Sequence, residues 1–148
     1  METQRDFEEL LASFNAHRVE YVIVGAYALA FHGAPRFTGD LDLFVRPGPD
    51  NAARILAALD DFGFESLGLT SADFERPDRV VQLGVPPVRV DLLTSITGVT
   101  WDEAAAGRVE GAYGGVRVDY LGRAQFVANK RASGRRRDLA DLEALGES

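Results

Sequence analysis

The chain contains no cysteine, which excludes disulfides, thiolate zinc sites and a cysteine nucleophile and leaves oxygen and imidazole to hold any metal. No apolar run approaches the roughly 20 residues of a membrane span. The opening Met1-Glu2-Thr3-Gln4-Arg5-Asp6 is charged where a signal peptide needs an apolar stretch. A cytoplasmic protein with no membrane partner is therefore expected. Positive charge is also short: 16 Lys and Arg against 23 Asp and Glu give a net charge of −7, which disfavours nonspecific binding to DNA and other nucleic-acid backbones. The exception is a basic cluster, Lys130, Arg131, Arg135, Arg136 and Arg137, near the C-terminus. What is present is ordinary for a globular chain: 148 residues, 46% hydrophobic and 26% charged, without linker, repeat or low-complexity segment. The expectation is one domain over residues 1–148, with a core at about 18–121 and C-terminal helices at about 122–146.

Hydrophobic spacing places the elements. Phe7, Leu10, Leu11 and Phe14 fall at helical intervals and predict a helix over about Thr3 to His17. Tyr21-Val22-Ile23-Val24 reads as a strand buried on both faces, ending at Gly25 and followed by a short helix from Ala26 to Phe31. His32-Gly33-Ala34-Pro35 breaks that helix. Asp40 to Val45 alternates, with Leu41, Leu43 and Val45 on one face and Asp40, Asp42 and Phe44 on the other. A helix capped by Asp50 carries Ala52, Ile55, Leu56 and Leu59. Arg79 to Leu83 and Val88 to Leu93 read as strands around a Gly84-Val85-Pro86-Pro87 turn, and Val109 to Tyr113 and Val116 to Leu121 as a hairpin around Gly114-Gly115. Trp101 to Ala106 reads as a short helix. Two further helices close the chain, one ending near Gly134 and one with Leu139, Leu142 and Leu145 as its apolar stripe.

Asp40 and Asp42 project from the same face of one strand, some 5 to 7 Å apart by the two-residue repeat. Their mutual repulsion, of order ~3 kcal/mol in a partly buried site, calls for protonation or a cation. A hard divalent ion suits oxygen ligands. If Val88 to Leu93 pairs beside Asp40 to Val45, Asp91 joins them, and three carboxylates can hold two metals for an in-line phosphoryl displacement. The sequence Val-Arg-Val-Asp occurs twice, ending at Asp91 and at Asp119. Asp91 is preferred because its run stays apolar through Leu92-Leu93, as a central strand does, whereas Asp119 follows a Gly-Gly hairpin. Gly25, at a strand-to-helix junction, offers backbone N–H groups to an anion. An isolated Asp-x-Asp pair also occurs on any solvent-facing strand, so the context decides.

Taken in order, Val24-Gly25-Ala26, then His32-Gly33-Ala34-Pro35-Arg36-Phe37-Thr38-Gly39-Asp40-Leu41-Asp42, then Val90-Asp91-Leu92 resembles the nucleotidyltransferase superfamily related to DNA polymerase β. Lys130 to Leu142 resembles the closing motif of its bacterial branch of minimal nucleotidyltransferases and abortive-infection type toxin–antitoxin enzymes. The resemblance implies an α/β (α+β) fold, a mixed twisted sheet with flanking helices and a short C-terminal helical segment. It implies a nucleoside triphosphate such as ATP as substrate with magnesium, two ions with manganese as substitute. By position, Asp40, Asp42 and Asp91 would be the metal ligands and catalytic carboxylates, Asp91 also helping to deprotonate the acceptor hydroxyl. Gly25 and Ala26 would lie against the triphosphate, with Lys130 and Arg135 or Arg137 neutralising its charge. The superfamily's usual Gly-Ser is Gly25-Ala26 here, which removes a phosphate-binding hydroxyl worth ~1 to 3 kcal/mol of binding.

The activity so implied is transfer of a nucleoside monophosphate to a hydroxyl of a protein or RNA acceptor with release of pyrophosphate, in company with a cognate toxin or antitoxin. The short stretch after the closing motif leaves no room for a large acceptor-binding domain. Two other classes stand beside it: a noncatalytic binding partner that keeps the fold, and a carboxylate metal nuclease, which leaves Gly25 and the basic motif without a role. Arg36 and Thr38 either orient a phosphate or the first carboxylate, or are solvated. His32 reads as a capping or hydrogen-bonded residue, Trp101 as core or lid, and Tyr113 and Tyr120 as cross-strand packing. Arg135 to Arg137 at a helix start oppose the macrodipole, which an anion or pairing with Asp138 and Asp141 would offset.

Overall fold

A computed structural model of the protein describes residues 4–35, 39–63, 68–85 and 88–147. The apolar spacing near the start becomes helix α1 (Arg5–Ala16), which buries Phe7, Leu10, Leu11 and Phe14. Strand β1 (Tyr21–Val24) is buried at every position and runs directly into α2 (Gly25–Phe31). Then follow β2 (Asp40–Val45), α3 (Pro49–Phe62), the single turn α4 (Ala72–Glu75), β3 (Val80–Val85), β4 (Val88–Leu93), α5 (Trp101–Gly107), β5 (Val109–Tyr113), β6 (Val116–Tyr120), α6 (Arg123–Ser133) and α7 (Arg136–Ala144).

The six strands form one mixed sheet in the order β3-β4-β2-β1-β6-β5. Three antiparallel joins link strands that are neighbours in sequence: β1 with β2, β3 with β4 and β5 with β6. Two parallel joins, β2 with β4 and β1 with β6, draw these pairs together. This is the mixed-sheet α/β architecture expected from the sequence.

Alternation along the strands sorts the two faces. Tyr21 lies opposite Val45 and Ile23 opposite Leu43, and this face is covered by α1 and α3. Phe14 meets the Tyr21 ring at 5.8 Å, and the Ser13 hydroxyl donates to the Ala58 carbonyl at 3.0 Å. The other face carries Asp40, Asp42 and Phe44. Trp101 of α5, expected as core or lid, is partly buried and stands edge-on to Phe44 at 5.2 Å. Buried Asn51 ties the start of β1 to the end of β2: it accepts from Glu20 N–H at 2.8 Å and donates to the Glu20 and Arg46 carbonyls at 3.0 and 2.9 Å.

Three local expectations are corrected. Helix α3 is capped at Gly48 with Pro49 in its first position, so Asp50 lies inside the first turn. There its charge favours the helix dipole, while the fixed φ of proline starts the helix earlier. Strand β3 runs on through Gly84 and Val85, which had been assigned to the turn; Pro86 and Pro87 lie outside the described residues. Gly84 has φ +74°, and a Cβ there would sit 2.3 Å from the Val88 carbonyl oxygen, so only glycine suits that place in the hairpin. In α7, Leu139 is 52% exposed and leaves the apolar stripe. The buried stripe is Asp138, Asp141 and Leu142, because both acids find a cation on the neighbouring helix.

The expectation for His32 holds. His32 follows α2 as its cap, and its Nε2 lies 2.7 Å from the Leu121 carbonyl oxygen. Tyr113 and Tyr120, expected to pack across strands, instead direct their rings to α2: Tyr120 stacks on Phe31 at 4.2 Å, and Tyr113 packs edge-on to Tyr27 at 5.4 Å. No helix among the described residues is long and apolar enough to cross a membrane.

Candidate active site

The site grows from the pairing of β2 with β4. Because these strands are parallel and in register, Asp42 lies directly beside Asp91, and Asp40 directly beside Arg89. Partners in a ladder share a face, so Asp40, Asp42, Arg89 and Asp91 form a square of charges, three negative and one positive. On the other side of β2, Asp42 pairs with Val24, the last residue of β1. There the chain turns through Gly25 at φ +68°. A Cβ at Gly25 would lie 2.4 Å from the Asp42 Oδ2, so the backbone of the strand-to-helix junction presses against the central carboxylate. Any other residue would clash there as well as be strained.

The square is electrostatically unbalanced at Asp42. Burial, then the charge of Asp91, then that of Asp40, push its carboxyl from the ordinary 3.8 to about 6, while Arg137 and Lys130 act in the opposite sense. Asp91 is satisfied in a different way. Arg89 Nε donates to its Oδ1 at 3.0 Å and Arg89 Nη2 to its Oδ2 at 3.1 Å, a two-pronged contact that engages both oxygens.

The basic motif is held mostly by its own acids. Lys130 is buried, with Nζ 3.3 Å from both Asp138 Oδ1 and Asp141 Oδ2 and 5.3 Å from the centre of the Phe126 ring. Arg135, just before α7, donates from Nε and its backbone N–H to Asp138 Oδ2 at 2.9 and 3.2 Å. Burial pushes Asp138 up, but Arg135 and Lys130 outweigh it and hold the carboxyl below the usual range. This buried cluster fastens α7 to α6. Arg137 is exposed on α7, and its charge is the first among those that lower Asp42.

The structure therefore brings together Gly25, Asp40, Asp42 and Asp91, with Arg137 and Lys130 within electrostatic reach. Ala26 is buried at 4% exposure and has no hydroxyl to offer. Arg135 is turned to Asp138, and Arg36 and Thr38 lie outside the described residues. Asp119, the alternative third acid, lies on β6 and pairs with Arg108 at 3.6 Å; it lines a cavity of about 460 Å³ with Tyr21, Trp101 and Arg117 at the opposite end of β1. The residue that sequence reasoning left without a role is Arg89. Its spacing two residues before Asp91 put both on one face, and that was the available signal.

Among the described residues no three acid or imidazole side chains converge closely enough to hold a metal ion as they stand. The donor set nonetheless suits magnesium in kind. All three ligands would be carboxylates, as hard cations require, and the register sets Asp42 directly beside Asp91.

The structure thus sets on one mixed sheet the strand-Gly-helix junction, the Asp-x-Asp strand and the facing Asp that carry the sequence resemblance to the nucleotidyltransferase superfamily. More narrowly, the chain belongs to the family described as nucleotidyl transferase AbiEii toxin, type IV toxin–antitoxin system, whose model matches residues 9–132. The match runs from α1 into α6 and includes Lys130, while Arg135 and Arg137 lie beyond it. No curated protein matches the chain.

Proposed function

We propose that this protein transfers a nucleoside monophosphate from a nucleoside triphosphate to a hydroxyl of a protein or RNA acceptor, releasing pyrophosphate, as a toxin paired with a cognate antitoxin. The observation that carries the reading is the register that sets Asp42 beside Asp91 and next to Asp40, in a chain of the AbiEii family. Asp40, Asp42 and Asp91 would hold magnesium, two ions with manganese as substitute, which when bound neutralises phosphate charge and favours in-line displacement.

The chain's own residues do the rest. Gly25 brings backbone N–H groups to the triphosphate without a side chain in the way. Arg137, the first of the charges that lower Asp42, supplies positive charge on the α7 side, with Lys130 adding to it. The acceptor oxygen bonds to the α-phosphorus as the bond from that phosphorus to the bridging oxygen breaks. Pyrophosphate leaves with that oxygen, and the acceptor proton passes to a carboxylate oxygen of Asp91.

The test is incubation of the protein with each α-labelled triphosphate, magnesium, and either total RNA or soluble protein as acceptor. Label is expected in one acceptor class, with pyrophosphate released and both lost in Asp42→Asn. Absence of label with all four triphosphates would sink the reading. Thermal unfolding adds a second measure: a triphosphate at ~100 times its dissociation constant stabilises the fold by about 2.7 kcal/mol.

Buried Ala26, with no hydroxyl for phosphate, favours one other reading, a protein that keeps the fold and acts by contact with its partner. In that case the Asp40→Asn, Asp42→Asn double variant keeps its biological effect, whereas the enzyme loses it.

A further inference from the structure

One acid of the proposed site, Asp91, is already in use. Both oxygens of Asp91 accept from the Arg89 guanidinium, at 3.0 and 3.1 Å, and the Asp91 side chain is only 13% exposed. A cation shared between Asp42 and Asp91 needs at least one of those oxygens. The surroundings explain why Arg89 takes this partner. Across the ladder on its outer side, β3 offers Gly84 opposite Arg89 and Gln82 opposite Asp91, neither of them acidic. The acids on the shared face are those of the square itself: Asp40, directly opposite on β2, and Asp42 and Asp91 one step along. Arg89 thus forms its fork along its own strand, to the acid that β3 leaves unpaired.

Asp42 gains little from this arrangement. Both donors of the fork go to Asp91 rather than to Asp42. The guanidinium thus occupies the Asp91 side of the square.

We propose that Arg89 is the resident counter-ion of the acidic triad and competes with the divalent cation for Asp91: cation binding opens the Arg89–Asp91 fork, and loss of the cation closes it again. This rests on the proposed reading of the triad as a cation site and adds its regulation. The arginine keeps Asp91 compensated while no cation is bound and sets the cation affinity lower than three free carboxylates would give. The released guanidinium has a natural second partner, because the planar fork that fits a carboxylate also fits a phosphate. Cation and triphosphate therefore bind with positive coupling through this residue.

The experiment measures Mn²⁺ binding, from the loss of the free-ion signal in electron paramagnetic resonance, for wild type, Arg89→Gln, Asp91→Asn and the double variant. Circular dichroism and melting establish that each is folded. Competition predicts that Arg89→Gln binds Mn²⁺ about tenfold more tightly than wild type. It also predicts that its melting temperature without metal is lower, and that Mn²⁺ raises it more than it raises wild type. In the Asp91→Asn background the Arg89→Gln change should have no effect on Mn²⁺ affinity.

Equal or weaker Mn²⁺ binding by folded Arg89→Gln overturns the proposal, since Arg89 would then support Asp91 as a ligand. A gain that persists in Asp91→Asn also overturns it, because that would be a general charge effect. If neither wild type nor Arg89→Gln binds Mn²⁺, with or without a triphosphate, the cation-site reading itself fails. Should Arg89→Gln not fold, Arg89→Lys, which keeps the charge but loses the fork, is expected to bind Mn²⁺ between wild type and the predicted Arg89→Gln value. No change from wild type would count against competition.

Discussion

Residues 88–91 and 116–119 are the same four amino acids, Val-Arg-Val-Asp, and both segments are strands, yet they do different things. In β4 the arginine and the aspartate bind each other through two hydrogen bonds. In β6 they turn to separate partners: Arg117 pairs with Glu110 at 2.6 Å and Asp119 with Arg108 at 3.6 Å. The cross-strand row decides. Beside β6, the strand β5 presents Glu110 opposite Asp119 and one diagonal step from Arg117. Beside β4, the outer strand presents only Gln82 and Gly84, and the inner strand adds Asp40 and Asp42. Identical local sequence becomes a charged square in one place and a solvated surface pair in the other.

The largest expected effect breaks this comparison directly. Asp91→Asn should lower nucleotidyl transfer by ~10³-fold, the scale on which positioned electrostatic groups act, while Asp119→Asn should leave it within about twofold. Labelled-nucleotide transfer measures both, and equal loss in the two variants would mean that the site is wrongly placed.

Next in size is the support around the square. Lys130→Met leaves Asp138 and Asp141 buried without their shared cation and should cost ~3 kcal/mol of stability, about 10 °C in melting temperature. An unchanged melt would show that the cluster on α6 and α7 contributes no rigidity.

Titration sharpens the contrast between Asp42 and the paired acids. Its folded-state value of about 6 lies above the ordinary 3.8, so ionising it in metal-free protein costs stability. The penalty is absent below pH ~4, grows as pH rises through about 6 and is constant above, at no more than about 3 kcal/mol. Melts in chelator should therefore show Asp42→Asn more stable than wild type at pH 8 and equal to it at pH 3.5. A constant difference across that range would contradict the shift.

The smallest effect belongs to the solvated twin. Arg117 and Glu110 are 67% and 62% exposed as side chains, and Arg117→Ala should move the melting temperature by no more than about 1 °C.

Much of this was legible in the sequence. Leu92-Leu93 after Asp91, against Gly114-Gly115 before Asp119, pointed to the strand that pairs with β2, but not for the reason expected: β4 is fully buried only at Val90 and Leu92, and β4 and β6 each lie one strand in from an edge of the sheet. The alternation of Asp40 to Val45 gave the shared face of the carboxylates. The register was not legible: that Asp42 rather than Asp40 stands beside Asp91 is fixed by pairing between strands distant in sequence. The engagement of Arg89 stayed hidden for the same reason, since it follows from what β3 lacks. In α7 the apolar spacing of Leu139, Leu142 and Leu145 competed with an acidic stripe whose buried partner, Lys130, sits on another helix, and burial of the ion cluster won.

The order of strands also bears on when the site comes into being. The three antiparallel joins can form between near neighbours in sequence, whereas the parallel join that brings Asp42 to Asp91 must close a long loop and belongs to the slow, non-local part of folding. The topology predicts that amide protons of the β3–β4 hairpin gain protection before those on the β2–β4 seam, which pulsed hydrogen exchange during refolding would test. Simultaneous protection would reject it. In a newly made chain the acidic centre would then be among the last features to assemble, so incompletely folded molecules of this toxin-family protein would carry no working site.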